Sequence, residues 1–385
     1  MSDGGREQPE QRPIALLVAS LGAGGAERVA LNLAQAFRSG GNRVDLLVVN
    51  RSGRLQTEVP GGIRVVDLHS KRASRAVGAL RRYLRTEAPA AVISFAFQAN
   101  LLSVVATLGL PSKPRLVLTI HSTISEAFDR LPMFRRWTLS AATKSLYPRA
   151  DAIIAVSRGA AADLVRFGVR ARRLATIHNP VIRGDFEETV RAKADHPWLA
   201  GGGVPVIVTV GRLTRAKDHR LLLAAFQQVR RKRQARLMVV GDGELKDHLE
   251  AEAERLGVAQ DVAFLGHIAN PFPYMREAEL FVLSSAWEGF GNALVEAMGT
   301  GTPVVATDCP HGPREILEDG KWGRLVPVGD ADALTSAMLD VLRNGGPNAR
   351  DRAADFTVEA AAGRYLALLR DVGTFAEAPG VRPRA

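Results

Sequence analysis

Two carboxylates, Glu288 and Glu296, stand seven residues apart in the run SSAWEGFGNALVEAMGTGTPVVATDC. Alone, such a pair suits the general acid–base work of a glycosidase. It suits equally a pair of hydrogen-bond acceptors for a ligand rich in hydroxyls, such as a sugar or a ribose. The bland alternative is a soluble helix face, where most glutamates sit. Gly289 and Gly291 weigh against it, because glycines beside a carboxylate let backbone come close to a ligand.

A second cluster is cationic. In VGRLTRAKDH, Arg212 and Lys217 could clamp a diphosphate, the guanidinium as a fork and the ammonium as a point charge. Arg215 and Arg220 read as solvated loop. LGAGGAER places Gly22, Gly24 and Gly25 before a helix, either to turn the backbone amides onto a phosphate or as a tight turn. The spacing is not that of a nicotinamide fingerprint, and the next strand ends in Asn50 rather than an acid. Gly241, Asp242 and Gly243 in GDGEL suit either close approach beneath a nucleobase or a plain β-turn. His121 in TIHS and Asn179 in HNP end strands, where a ligand contact and a structural hydrogen bond are both plausible. DCPHGPREIL, with two prolines and Glu315, reads as a rigid loop shaping a pocket.

These groups need elements to carry them. Continuous apolar runs (PIALLVAS, RVDLLVVN, AVISF, RLVLTI, AIIAVS, LATIHNP) alternate with helical sequence, the pattern of a parallel, doubly wound sheet. After a polar stretch at 183–203, read as a linker, the alternation restarts with VIVTVG, ARLMVVGDGE, VAFLGHI, LFVLSS, PVVAT and GRLVP. The expectation is an α/β chain of two doubly wound, Rossmann-like domains, 1–185 and 186–385, facing across a cleft. Asn292 to Met298 reads as a helix stopped by Gly299, and one long helix at about 350–371 closes the second domain. The first dozen residues and the tail after that helix read as disordered. Ligands of such sheets bind at the carboxyl ends of the strands, where each of the groups above falls.

At 385 residues two domains are natural, and 46% hydrophobic residues support two cores. One cysteine, Cys309, allows no internal disulfide and points to a reducing cytosol. No signal peptide and no membrane span are expected. The net charge of +11 is uneven: residues 1–180 hold 26 Lys and Arg against 12 Asp and Glu, the remainder 25 against 28. Basic and aromatic residues interleave in FRRWTLSAATKSLYPR, and KRASRAVGALRRYLR is also basic. An anionic membrane surface suits them, as does a merely arginine-rich composition. Nucleic acid is disfavoured, for no recognised binding motif is present. No cluster has zinc spacing, so no metal is expected, and no G-x-S-x-G elbow supports a hydrolase.

GGAER, HNP, GRLTRAKD, GDGEL, WEGFGNALVEAMGTGTPVVAT and GPREIL occur in this order, and together they resemble family 4 retaining glycosyltransferases over roughly residues 14–370. The resemblance implies the GT-B fold, a nucleotide-sugar donor held mainly by the second domain, no metal and no cofactor, and retention of anomeric configuration. It places Glu288 at the donor sugar's hydroxyls, Glu296 on the ribose, Arg212 and Lys217 on the diphosphate, and Gly24 and Gly25 near the phosphates. His121 and Asn179 fall on the acceptor side, His121 near the transferred sugar. Gly241, Asp242, Gly243, Gly289, Phe290, Gly291 and Asn292 complete the donor set. The CPHGPREIL variant resembles bacterial members that move a hexose or N-acetylhexosamine from a UDP-sugar to lipid-linked saccharides, at the inner face of the cytoplasmic membrane. A nucleotide-sugar epimerase of the same fold and a non-catalytic basic membrane-binding protein remain alternatives.

Overall fold

The structure, a computed structural model, describes residues 12–374 except Ala23, Lys71, Arg72, Arg130, Gly201 and Gly202. The tails read as disordered therefore lie outside the described residues, apart from Arg12 and the last few positions before 375. So do two of the three linker glycines and the first two residues of KRASRAVGALRRYLR.

The chain packs as two compact units. The first contains strands β1 (Ile14–Val18), β2 (Val44–Val48), β3 (Arg64–Asp67), β4 (Ala91–Phe95), β5 (Arg115–Ile120), β6 (Ala152–Ala155) and β7 (Leu174–Thr176). Helices α1 (Gly25–Ser39), α2 (Ala73–Thr86), α3 (Phe97–Thr107), α4 (Ile124–Asp129), α5 (Met133–Leu146) and α6 (Arg158–Arg166) connect them. The sheet is parallel throughout, in the order β3-β2-β1-β4-β5-β6-β7. Every residue of β1, β2 and β4 is buried, because helices cover both faces of the sheet. Ile14, Leu16 and Val18 point to one core with Leu33 and Phe37 of α1, whereas Ala15 and Leu17 point to the other with Leu80 and Leu84 of α2. Edge strand β3, half-exposed and without a continuous apolar run, went unread in the sequence.

The second unit begins its fold with α7 (Phe186–Arg191) and holds β8 (Val206–Val210), α8 (His219–Lys232), β9 (Arg236–Val240), α9 (Lys246–Arg255), β10 (Val262–Gly266), α10 (Phe272–Glu277) and β11 (Leu280–Leu283). It continues through α11 (Asn292–Thr300), β12 (Val304–Thr307), α12 (Pro313–Ile316), β13 (Arg324–Val326), α13 (Ala331–Asn344) and α14 (Arg350–Ala353). Its sheet is also parallel, in the order β10-β9-β8-β11-β12-β13. Leu222 and Phe226 of α8 and Leu334 and Met338 of α13 pack with Ile207, Leu237 and Val305 of the sheet.

Packing redraws four readings of the sequence. The closing helix breaks in two: α14 is followed by a short turn and by extended Thr357, after which α15 (Val358–Asp371) starts. The Phe356 carbonyl accepts the amides of Val181 and Ile182, which fixes the break. From Glu359 onward the helix belongs to the first unit, since Ala361, Ala362, Tyr365 and Leu369 lie in the core of β1 and α1. The units are residues up to 156, 161–180 and from 359, against 157–160 and 181–358, not a single division at 185.

The polar linker is partly a packed element. Phe186 and Val190 are buried and Phe186 stacks on Phe272 at 4.8 Å, so two apolar residues on one turn outweigh the charged surroundings. Helix α11 also runs past Gly299 to Thr300, and Gly301, at φ +85°, ends it. Gly299 has a packing role instead: a Cβ there would lie 2.8 Å from the Phe186 ring.

Candidate functional site

In the second unit, loops at the carboxyl ends of β8, β9, β11 and β12 gather most of the residues expected on the donor side. The β8 and β11 loops are laced together, with the Ala286 amide donating to the Ala216 carbonyl at 2.8 Å and Ser284 Oγ to the Lys217 carbonyl at 2.8 Å. This lacing brings Lys217 Nζ into an ion pair with Glu288 Oε1. Ser285 Oγ donates to the same oxygen at 2.7 Å. The Glu288 backbone is held too: its amide donates to the Pro310 carbonyl at 2.7 Å, and its carbonyl accepts the His311 amide at 2.9 Å. The rigid DCPHGPREIL loop thus positions a carboxylate twenty residues earlier. Beside it, burial and the negative Glu288 push the Cys309 thiol up to about 12.

Arg212 extends into solvent and makes no side-chain bond to any described residue. Glu296 lies half-buried in the second turn of α11. Gly291 adopts φ +113° and precedes Asn292, the first residue of that helix, and no side chain caps the amides there. Phe290 turns inward, 2% exposed, onto Phe356 at 5.4 Å, so its ring serves the core, and Gly289 and Gly291 on either side of it are buried as well.

The glycines of GDGEL have a structural cause. At Gly241 (φ +144°) a Cβ would stand 1.9 Å from the Gly211 carbonyl oxygen, and at Gly243 2.4 Å from that of Leu213. The backbone they approach is the β8 loop, which donates from Leu213 to the Asp242 carbonyl at 3.0 Å. Asp242 itself is exposed and caps the Gly243 amide at 2.9 Å. The sequence also contains an Asp-x-Asp, Asp330–Asp332. Its carboxylates accept the Ala333 amide and the Gln228 side chain, both at 2.8 Å, as helix cap and surface contact.

In the first unit, α1 starts at Gly25 directly after the loop that follows β1, and Gly24 at its N-cap brings no side chain to the first amides. Asn179 is buried, and the next carbonyl, that of Pro180, accepts Asn32 Nδ2 of α1 at 2.9 Å. His121 follows β5 with Nε2 2.9 Å from Thr119 Oγ1. That hydroxyl lies 2.8 Å from the Ser94 carbonyl, and Ser94 Oγ donates to Asn100 Oδ1 at 2.6 Å. Burial lowers the His121 pKa to about 4. Ala96, at the end of neighbouring β4, holds φ +71° and ψ 161°, a strained conformation for a residue with a Cβ. Neither that strain nor the Thr119 contact was legible in the sequence.

The model of glycosyltransferase family 4 matches residues 23–183, and that of group 1 glycosyl transferases matches 204–344. The chain belongs to glycosyltransferase family 4. Members of the family and of its fold appear among both sequence and structural relatives. An N-acetylgalactosamine-N,N'-diacetylbacillosaminyl-diphospho-undecaprenol 4-alpha-N-acetylgalactosaminyltransferase of Campylobacter jejuni is 32% identical over 52% of the chain. The chain spans only about half, 53%, of that protein's length. A second Campylobacter jejuni enzyme, an alpha-1,4-N-acetyl-D-galactosaminyltransferase named for a diphospho-undecaprenol-linked saccharide, is 25% identical over 93% of the chain and 98% of its own. Among solved structures, a sucrose-phosphate synthase of Thermosynechococcus elongatus superposes with a TM-score of 0.79 at 22% identity, covering 94% and 99% of the two chains. Anabaena HepE in complex with UDP superposes at 0.76, with 22% identity over 93% and 100%. These likenesses establish the fold as GT-B.

Proposed function

We propose that the chain is a retaining, metal-independent glycosyltransferase that moves a hexose or N-acetylhexosamine from a UDP-sugar to a lipid-linked or saccharide acceptor in cell-envelope glycan synthesis. The observation that carries this reading is the Lys217–Glu288 pair, held by Ser285 at the carboxyl end of β11 in a family 4 chain. The activities for which the Campylobacter relatives are named support the acceptor class, and the UDP complex of the structural neighbour supports the nucleotide.

An ammonium has three donor hydrogens, so Lys217 can keep Glu288 and still meet a phosphate oxygen. Arg212, exposed in the same β8 loop, supplies the second positive charge. Together they offset the charge that grows on the leaving UDP as the sugar–phosphate bond loosens. Glu288 accepts from hydroxyls of the transferred sugar and Glu296 from the ribose. The acceptor hydroxyl attacks from the face the phosphate leaves, and a donor phosphate oxygen takes its proton, which retains the configuration. The carboxylates position the donor and do not act as an acid–base pair.

The excess positive charge of residues 1–180 suits an acceptor presented at the inner face of the cytoplasmic membrane. Among the described residues no helix is long and apolar enough to cross a membrane.

The test is transfer from a panel of UDP-, GDP- and ADP-sugars to undecaprenyl-diphosphate saccharides, with the anomeric linkage of the product read by NMR. An inverted product overturns retention. Conversion of UDP-sugar without acceptor would identify an epimerase instead, and no turnover with any donor would leave a binding protein.

A further inference from the structure

The large apolar side chains most exposed among the described residues sit together. Met133 is 87%, Phe134 77% and Trp137 70% exposed, all at the N-terminal end of α5. Residues 132–137 are exposed without interruption, and Arg135 and Arg136 stand between the apolar side chains. Further along the helix Lys144 is exposed, as is Arg149 just beyond it. The nearby acids are Glu126 and Asp129 of α4, of which Asp129 pairs with Arg136 at 2.8 Å. The interior half of the helix is anchored by buried Thr143 and by Leu139 and Leu146 against the core. A helix fixed at one end with Phe, Trp and Met displayed at the other exposes apolar surface that water disfavours.

We infer that the first turns of α5 are a docking surface for an anionic lipid bilayer, the aromatic residues entering the headgroup–acyl boundary and the arginines meeting lipid phosphates. This deepens the membrane part of the proposed function by locating the contact at Met133, Phe134 and Trp137 rather than in the basic stretch of α2. The test is flotation of the full chain with phosphatidylcholine vesicles, with and without phosphatidylglycerol, for wild type and for the triple variant Met133→Ser, Phe134→Ser, Trp137→Ser. Wild type should float with the anionic vesicles and the triple variant should bind roughly tenfold more weakly or worse. Equal flotation of the two proteins overturns the assignment. So does a wild-type dimer in sedimentation that the substitutions dissolve, since the patch would then be an interface between copies. Turnover of a short-chain, water-soluble acceptor keeps the two readings apart: it tests the transferase reading and should survive the triple substitution.

A separate observation concerns His121. The Thr119 hydroxyl has one hydrogen and two neighbours, the Ser94 carbonyl at 2.8 Å and His121 Nε2 at 2.9 Å. A carbonyl only accepts, so both bonds form only if the hydroxyl donates to Ser94 and Nε2 carries a proton donated to Thr119. Nδ1 is then a bare acceptor, and this atom is buried with no hydrogen-bond partner in the structure. The geometry assigns Thr119 as a positioning residue that holds His121 in the Nε2–H tautomer, so that Nδ1 accepts a substrate hydroxyl and does not donate to the leaving phosphate. The substrate part rests on the transferase reading; the tautomer does not.

The test is 15N NMR of ring-labelled histidine at pH 7.5, with His121→Gln to assign the signals. Wild type should show a protonated Nε2 and an unprotonated Nδ1, Thr119→Val a mixture of tautomers, and Thr119→Ser the wild-type pattern. A protonated Nδ1 in wild type overturns the tautomer. Transfer should fall roughly tenfold in Thr119→Val and recover in Thr119→Ser. Unchanged transfer despite mixed tautomers overturns the functional half.

Discussion

Lys217 and Glu288, 71 residues apart in sequence, share an ion pair at the carboxyl edge of the second sheet. Sequence reasoning assigned one to the diphosphate and the other to the sugar. The pairing holds both charges at one spot, and under the proposed function each neutralises the other until a donor brings its own phosphates and hydroxyls.

Removing the ammonium should therefore hurt both catalysis and folding. Lys217→Ala should lower kcat/KM by about 10²–10³. Stability should fall as well, by about 1–3 kcal/mol, because Glu288, 11% exposed, loses its cation. Steady-state kinetics with urea unfolding checks both halves.

Glu288→Gln keeps the shape and the Ser285 bond but removes the charge. We expect a weaker donor KM and a kcat reduced by about 10²-fold. If both constants stayed at the wild-type value, the carboxylate would have no part in donor binding.

Gly241→Ala should destabilise the second unit by about 3 kcal/mol or more, since its Cβ would collide with the Gly211 backbone at an unfavourable φ. Gly24→Ala should be milder in stability, for its Cβ meets only the flexible end of Glu27. Thermal unfolding of the two variants gives the contrast.

Acid should weaken both units. Burial lowers His121 to about 4, and burial, then Lys217, lowers His219 to about 3. The unfolded chain binds these protons near 6.5 and the folded chain does not. Their contribution is thus fully present above pH 6.5 and is lost as pH falls toward the folded values, by up to about 1.4 kcal/mol per pH unit for each histidine. Unfolding midpoints measured between pH 7.5 and 5 should fall, and His219→Asn should flatten the slope for the second unit.

Transfer should be unchanged after prolonged dialysis against EDTA, since Arg212 and Lys217 are proposed to meet the phosphate charge. A loss restored by Mg²⁺ or Mn²⁺ would contradict metal independence.

The sequence by itself determined the two parallel sheets, because strands buried on both faces must be written as unbroken apolar runs and their helices as amphipathic ones. It also determined that Glu288, Arg212, Lys217 and His121 stand at strand ends, since the turn glycines and the ends of the apolar runs mark those positions. Edge strand β3 escaped, being too exposed to need an apolar run. Only tertiary structure decided that α15 returns to the first unit, because an amphipathic helix does not name its partner, and Tyr365 and Leu369 fit the β1 core. Only it decided that Phe290 faces inward and that the GDGEL glycines answer to the β8 loop, since packing neighbours far along the chain set both. The Lys217–Glu288 pair and the Thr119–His121 contact are likewise matters of distance between side chains, which spacing along a sequence does not encode.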